Sequence, residues 1–329
     1  MTDVSVSIVN TNNRELLLSC LESLHASMTP ETAVEIVVLD NASEDRSAEV
    51  VRERFPGVRL IAQELRAGFG ANHNTVIRAT NGRFVYVLNE DTTSEDWAFA
   101  RLVEEMDAHP GTAALGPRLI YPDGRHQRSA WRFPTPSVSV FGLPTLGKVG
   151  INQSKGRRPR SVDWVAGAAL LLRREALDTV GLFDEGFFIY FEEVDLCLRL
   201  RRAGWEVRYF PGVSVVHHES QFSADIPERR INEMWRGRRR YWLKHHSAAG
   251  ARIAALATGG QYLGAAAVGG IRRDRAYRAS MRLHARNAWH GNGPGLRELA
   301  DEWNEAVASS GTLLRKREVD PTGQSDAGR

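Results

Sequence analysis

The sequence predicts an α/β protein: a mostly parallel central sheet with helices on both faces, followed by a basic helical extension. Three observations predict it. Short, near-continuous apolar runs alternate with helical patterns through the first half, as in strands buried on both faces. Polar and acidic residues close those runs, where ligands of such sheets bind. The charge is also split: residues 1–225 carry 24 basic and 30 acidic side chains, whereas residues 226–329 carry 19 and 10. This divides the 329 residues into an α/β unit (1–225), a basic, mainly helical region (226–316) and a disordered tail (317–329) rich in small and polar residues.

In order along the chain, residues 4–9 (VSVSIV) form the first strand. Asn12 or Asn13 caps a helix whose Leu17, Leu21, Leu24 and Met28 recur at helical spacing. Residues 35–40 (EIVVLD) are the second strand, with Asn41 and Ser43 as turn and cap residues before a helix over 44–54. Residues 58–61 are a third, shorter strand. The loop 68–74 (GFGANHN) enters a helix ending near Gly82, and residues 84–88 (FVYVL) are the fourth strand, stopping at Asn89-Glu90-Asp91. Residues 116–159, rich in Pro, Gly and Arg, read as a long loop with short strands. Residues 165–177 turn from strand to helix. Residues 192–203 fit one helix closed by Gly204, and 207–210 and 213–216 fit two short strands.

Composition narrows the function classes. With 42% hydrophobic and 25% charged residues the chain is an ordinary globular protein. Two distant cysteines, Cys20 and Cys197, exclude a disulfide framework and a Cys-rich zinc site, and a reducing cytoplasm is the expected compartment. The run at residues 4–9 is too short for a signal-peptide core. A nicotinamide-dependent oxidoreductase should carry GxGxxG at its first turn; here that turn is Asn10-Thr11-Asn12-Asn13, and Gly68-Phe69-Gly70 is followed by His at position 73. A nucleic-acid-binding protein would explain the basic block, but no binding motif accompanies it and the first 225 residues are net acidic. No nucleic-acid partner is expected.

The chemistry lies in acids at segment ends. Asp91, beside Glu90 and Asn89 after the fourth strand, offers oxygen ligands for a hard divalent cation, Mg²⁺ or Mn²⁺, or simply caps a turn. Asp40 can accept from a nucleoside's ribose or base, or close an Asx turn with Asn41. Glu192, Glu193 and Asp195 occupy the first turn of a helix, whose dipole should keep a carboxylate ionised near neutrality and usable as a general base. The aromatic run Phe187-Phe188-Ile189-Tyr190-Phe191 before them can wall a pocket. His217 follows a strand, with His218 adjacent.

The ordered set VSIVNTNN, EIVVLDNASED, AGFGANHN, GRFVYVLNED, VAGAALLLRREAL, GLFDEGFFIYFEEVDLCLRLRRAGW and VSVVHHES resembles the family 2 glycosyltransferases, most closely their bacterial rhamnosyltransferase-like branch, over about the first 225 residues. The resemblance implies a GT-A fold, a divalent metal and inversion at the anomeric carbon. It implies that Asp40 holds the nucleoside and Thr11 lines the nucleotide. Asn89 and Asp91 match the outer positions of the DXD-type motif, Asp91 being the stronger metal-ligand candidate, and His217 matches the later histidine that can complete metal or diphosphate binding. Glu193 matches the catalytic base, with Glu192 as the alternative. Asn12, Asn41, Gly68, Asn72 and Glu90 join the expected nucleotide-sugar-binding set. Three positions depart from the pattern: Glu90 replaces the usual Pro, Glu193 the usual Asp, and Asn12 a first-strand Tyr. Glu90 and Glu193 motivate an alternative, a catalytically inactive relative.

The resemblance also implies a nucleoside-diphosphate sugar donor, dTDP-rhamnose as the leading candidate, and a glycan or polyprenyl-linked acceptor in cell-surface polysaccharide synthesis. Residues 229–286 hold 14 basic and 2 acidic side chains. There RRINEMWRGRRRYWLKHH places Trp235, Tyr241 and Trp242 among arginines, a pattern suited to an anionic membrane surface, which would make the protein peripheral at the inner face of the plasma membrane. Residues 248–271, Ala/Gly-rich and weakly apolar, read as a packing or interfacial helix rather than a transmembrane span. Residues 298–306 read as a further short helix, and a homo-oligomer is compatible with the sequence.

Overall fold

A computed structural model describes residues 2–95, 97–142, 152–219, 226–271, 273–291 and 293–310. The expected tail and residues 311–316 lie outside these. β1 (Val4–Asn10), α1 (Arg14–Ser27), β2 (Val34–Asp40), α2 (Ser47–Arg54), β3 (Arg59–Ala62), α3 (Phe69–Arg78) and β4 (Phe84–Asn89) alternate as expected, although α3 stops short of Gly82. Next come β5 (Thr92–Ser94), α4 (Ala98–Ala108), β6 (Thr112–Ile120), β7 (His126–Gln127), β8 (Ala130–Trp131), α5 (Pro136–Phe141), β9 (Arg160–Ser161), β10 (Trp164–Val165), β11 (Ala169–Arg173), α6 (Arg174–Val180), α7 (Glu192–Arg202) and β12 (Glu206–His217). Four helices follow: α8 (Pro227–His245), α9 (Ala248–Ile271), α10 (Arg275–His290) and α11 (Leu296–Ser309).

The main sheet has the order β3-β2-β1-β4-β11-β6-β12-β5. β3, β2, β1 and β4 are parallel neighbours. β11 runs antiparallel to β4 and β6, and β12 parallel to β6. Asn10 pairs with Asp40 and Val9 with Asn89, so β1, β2 and β4 end side by side. Alternation along β4 feeds two cores. Phe84, Tyr86 and Leu88 pack with Ile8 and with Leu17, Leu21 and Leu24 of α1. Val85 and Val87 pack with Leu170, Leu172 and the α7 residues Leu196 and Leu200. Both faces being covered, the strands read as continuous apolar runs.

Three expectations need correction. The segment read as a long loop contributes Gly116–Ile120 to β6, a largely buried strand, and also contains α5; Gly116 and Pro117 disguise the strand. The two short strands after Gly204 are one strand, β12, whose pairing with β6 jumps between Phe210 and Ser214 at a bulge around Pro211-Gly212. Finally, the α8 aromatics are not displayed among the arginines: Trp235, Tyr241 and Trp242 are at most 2% exposed and pack against Phe187, Phe191 and Val194. Exposing one of them would cost roughly 1.5–3 kcal/mol, so they serve to join α8 to α7. Among the described residues no helix is long and apolar enough to cross a membrane, as expected for residues 248–271.

Candidate active site

A cavity of about 1010 Å³ opens at the carboxyl ends of β1, β2 and β4. Nine of the expected residues line it: Thr11, Asn41, Asn72, Asn89, Glu90, Asp91, Glu192, Glu193 and His217. Asn12, Asp40 and Gly68 stand behind its wall. Asp40 is 4% exposed and accepts from Asn10 Nδ2 (3.4 Å) and from the Ser43 N–H (3.1 Å), closing its own turn. Asn12, at φ 53°, accepts from the Glu44 N–H. Gly68 lies against the Phe188 carbonyl, which a Cβ would strike, while the neighbouring Phe69 N–H donates to that same oxygen at 2.7 Å. These contacts hold the Phe188–Tyr190 loop over α3. Asn41 stitches the floor, donating to Thr11 Oγ1 (3.1 Å) and accepting from the Ala67 N–H (2.8 Å).

At one side, Asp91 Oδ1 and His217 Nε2 stand 3.3 Å apart. Gln127 donates through Nε2 to Glu219 (2.9 Å), leaving its Oε1, 3.0 Å from His217 Nδ1, to accept the ring proton. This assignment turns the Nε2 lone pair toward Asp91. Asp91 Oδ1 is buried with no hydrogen-bond donor. In that tautomer the ring nitrogen and the carboxylate oxygen are two acceptors that converge and fit a divalent cation, with a second partner fixing the ring orientation. Among the described residues no third His, Cys, Asp or Glu joins them in a metal-binding group, so phosphate oxygens and water would complete the coordination of a hard cation. Asn89 Nδ2 lies 3.4 Å from His217 Nε2. Glu90, held by burial and by the Asp91 charge, is pushed up to about 8.

Glu192 and Glu193 open α7. Tyr190 and Phe191 before them both take left-handed φ, 70° and 76°, a strained turn that aims the helix start at the cavity. The dipole alone does not set their ionisation, contrary to expectation. Burial pushes Glu193 up to about 7, against the backbone N–H groups that pull it down. Glu192 is 3% exposed and is raised further, by burial and then by the Glu193 charge. Each has one carboxyl oxygen without a hydrogen-bond partner. Glu193, half-buried, is the one that can meet a substrate near neutral pH. One turn on, buried Asp195 accepts from Arg199 Nε (2.8 Å) and His245 Nε2 (2.7 Å), with Lys244 Nζ also at 2.7 Å. Burial would raise Asp195, but the Lys244 and Arg199 cations and the His245 hydrogen bond hold it below the usual carboxylate range and clamp α7 to α8.

A carboxylate near neutrality and a cation-ready pair share one cavity, at the switch between parallel and antiparallel strands. The family model described as Glycosyl transferase family 2 matches residues 5–181. The chain belongs to glycosyltransferase family 2. Within that family it falls in the rhamnosyltransferase-like branch. It is 30% identical over 224 residues to the N-acetylglucosaminyl-diphospho-decaprenol L-rhamnosyltransferase of Mycobacterium tuberculosis, covering 62% of this chain and 73% of the relative. It is 25% identical over 230 residues to the rhamnosyltransferase WbbL of Escherichia coli, covering 65% and 83%. The mannosyltransferase PcManGT of Pyrobaculum calidifontis, solved with GDP-Man and Mn²⁺, superposes with a TM-score of 0.58 at 17% identity over 87% of this chain and 85% of that one. The glycosyltransferase therefore has the GT-A fold.

Sequence reasoning missed several residues of the cavity. Arg66 is paired to Glu44 (3.1 Å) and stacked on Trp303 (4.1 Å), with Asn304 bonded to its backbone, so α11 braces the loop after β3. A single arginine in a loop gives no periodic signal. His73, at the place where a dinucleotide motif would need glycine, is buried, bonds Ser7 (2.7 Å) and is held neutral by burial at about 3. Arg128, Trp131, Arg230 and Tyr262 also line the cavity, whereas Phe188, Ile189 and Tyr190 line it as the aromatic run suggested.

Proposed function

We propose that this glycosyltransferase is a metal-dependent, inverting enzyme that moves rhamnose from dTDP-rhamnose to a hydroxyl of a lipid-linked glycan acceptor in cell-surface polysaccharide synthesis. The observation that carries the reading is the pairing, in one cavity, of Glu193 with the Asp91–His217 pair. Asp91 and His217 would hold a Mg²⁺ or Mn²⁺ ion, which supplies Lewis-acid stabilisation to a departing diphosphate. Asn41, Asn72 and the strand ends hold the walls against which the nucleotide would lie. Glu193, ionised above about pH 7, takes the proton of the attacking acceptor hydroxyl. Glu192, kept protonated by burial, leaves one base for a single displacement, which inverts the anomeric carbon; a double displacement would need a nucleophile on the opposite face. The curated relatives' names support rhamnose and a diphospho-lipid acceptor.

The reading extends to location. α10 exposes Arg275, Arg278, Arg282 and Arg286 along one face, and α9 exposes Ile253, Leu256 and Leu263. This basic and apolar surface, rather than the α8 aromatics, is the one we assign to an anionic membrane at the cytoplasmic side. The deciding experiment is thermal unfolding with dTDP, UDP or GDP, with and without Mn²⁺. A nucleotide at about 100 times its Kd stabilises by roughly 2.7 kcal/mol. A metal-dependent shift with dTDP above the others is expected; no shift with any diphosphate overturns the reading in favour of an inactive relative.

A further inference from the structure

A second cavity, of about 450 Å³, lies on the far side of Glu193. It shares Arg128, Trp131, Tyr190, Glu193, Met234 and Tyr262 with the first, so the two meet at the base. Its outer wall comes from helices α5, α9 and α10, and so from outside the strand ends that build the first cavity.

Its chemistry is unlike that of the first. Among the described residues Glu193 is its only acid, whereas three arginines line it. Arg238 is the unusual one. Its guanidinium lies over three aromatic rings, Trp235 (5.2 Å), Phe191 (5.5 Å) and Trp242 (5.6 Å). Its Nε is buried with no hydrogen-bond partner, and no carboxylate pairs with it among the described residues. Aromatic faces hold a cation in place without neutralising it, so Arg238 keeps its charge and its fork for an incoming anion. Arg128 likewise has no acidic partner among the described residues. Much of the remaining wall is apolar and adaptable, with the stacked Trp131 and Trp164 (4.4 Å between rings), Met234, and Met281 with Tyr277 at the α10 end, beside the neutral polar Ser139, Asn152, Thr258 and Gln261. An uncharged sugar gives no use for unpaired arginines, and a free phosphate gives none for the apolar wall.

We propose that this second cavity binds the phosphate ester of a long apolar chain, and that it is the acceptor's lipid-phosphate site. Arg238, with Arg128, takes the phosphate; the chain leaves past Met281 and Tyr277 toward the exposed face of the α9–α10 pair; the acceptor hydroxyl is thereby presented to Glu193. The acceptor role, though not the binding chemistry, rests on the transferase reading above.

The test uses the full chain, EDTA to keep the Asp91–His217 pair from recruiting a diphosphate through metal, and three probes: farnesyl diphosphate, inorganic pyrophosphate and farnesol. Farnesyl diphosphate should bind at least tenfold more tightly than either half-probe. Arg238→Met should weaken it at least tenfold, Arg238→Lys should recover part of the loss, and Mn²⁺-dependent dTDP binding should stay unchanged in both. Met281→Glu, at a half-buried position that leaves the aromatic cage intact, should weaken farnesyl diphosphate by a similar factor and guards against an Arg238 variant that folds poorly. Unchanged binding in both the Arg238→Met and Met281→Glu variants, or displacement of farnesyl diphosphate by dTDP, overturns the site. A wild-type protein that binds the probe as expected yet transfers no sugar keeps the site and overturns the transferase reading. Equal transfer by wild type and Arg238→Met to acceptors with and without the lipid phosphate does the reverse.

Discussion

The walls facing each other across Glu193 are built by different means. One wall is made of strand ends: Thr11, Asn41, Asn89 and Asp91 leave β1, β2 and β4 at one level because Asn10 pairs with Asp40 and Val9 with Asn89. Its side chains are short, and Asn41 bonds Thr11. The other wall is made largely of helices, with Trp131 of β8 and Trp164 of β10 between them. There many side chains are long, aromatic or sulfur-containing, and Arg238 has no carboxylate partner among the described residues. Backbone hydrogen bonds fix a strand end to within a residue, whereas a helix face adapts by changing side chains. Chemistry common to a family fits the first kind of wall, and selectivity among acceptors fits the second. The family match over residues 5–181 stops before α8 begins.

Five measurements would break or sharpen that contrast, beginning with Glu193 between the two walls. Glu193→Gln should lose turnover by roughly 10²–10⁴-fold with donor binding retained; near wild-type turnover would remove Glu193 as base. Asp91→Ala should weaken Mn²⁺-dependent dTDP binding by more than the about 10–100-fold typical of losing a partner behind a ligand, which calorimetric metal titration reads directly. The rate should rise about tenfold per pH unit below about 7 and level above it, because the base works only when ionised; Glu193→Gln should flatten the profile. On the helical side, replacing Arg275, Arg278 and Arg282 by Gln should reduce cosedimentation with anionic vesicles at low salt several-fold, leaving turnover on soluble acceptors intact. The smallest effect concerns Glu192. Its folded pKa is raised, so its favourable contribution is complete below the unfolded value near 4.3 and is lost as pH rises toward the folded one. Tm of the wild type should therefore fall more between pH 5 and 8 than Tm of Glu192→Gln.

Much of the strand-end wall was legible in the sequence. The apolar runs of β1, β2 and β4 stop at polar residues, which pointed to Asp40 and Asp91, whereas Gly116 and Pro117 hid part of β6 and the choice of His217 over His218 came from the family resemblance. What escaped notice depends on which way a side chain turns. The α8 aromatics could face a membrane or the core, and composition alone does not choose; the i, i+3, i+7 spacing of Trp235, Arg238 and Trp242 was the available sign that a cation sits among the buried rings. Likewise, proximity to a helix N-terminus suggested an ionised Glu193, but burial outweighs the dipole.

The irregularity in β12 carries its own consequence. Before Pro211 the odd-numbered Val207 and Tyr209 belong to one core, and after Gly212 the odd-numbered Val213 and Val215 belong to the other. Three residues without counterparts on β6 invert the strand's phase. His217 follows Val213 and Val215 in that inverted phase and arrives beside Asp91. The kink acts as a parity switch: adding or removing one residue there, even on the surface and far from any substrate, would turn the histidine to the wrong side of the sheet. A length change there should cost stability as well as activity, because the fully buried Val213 and Val215 would turn out of the core with the histidine.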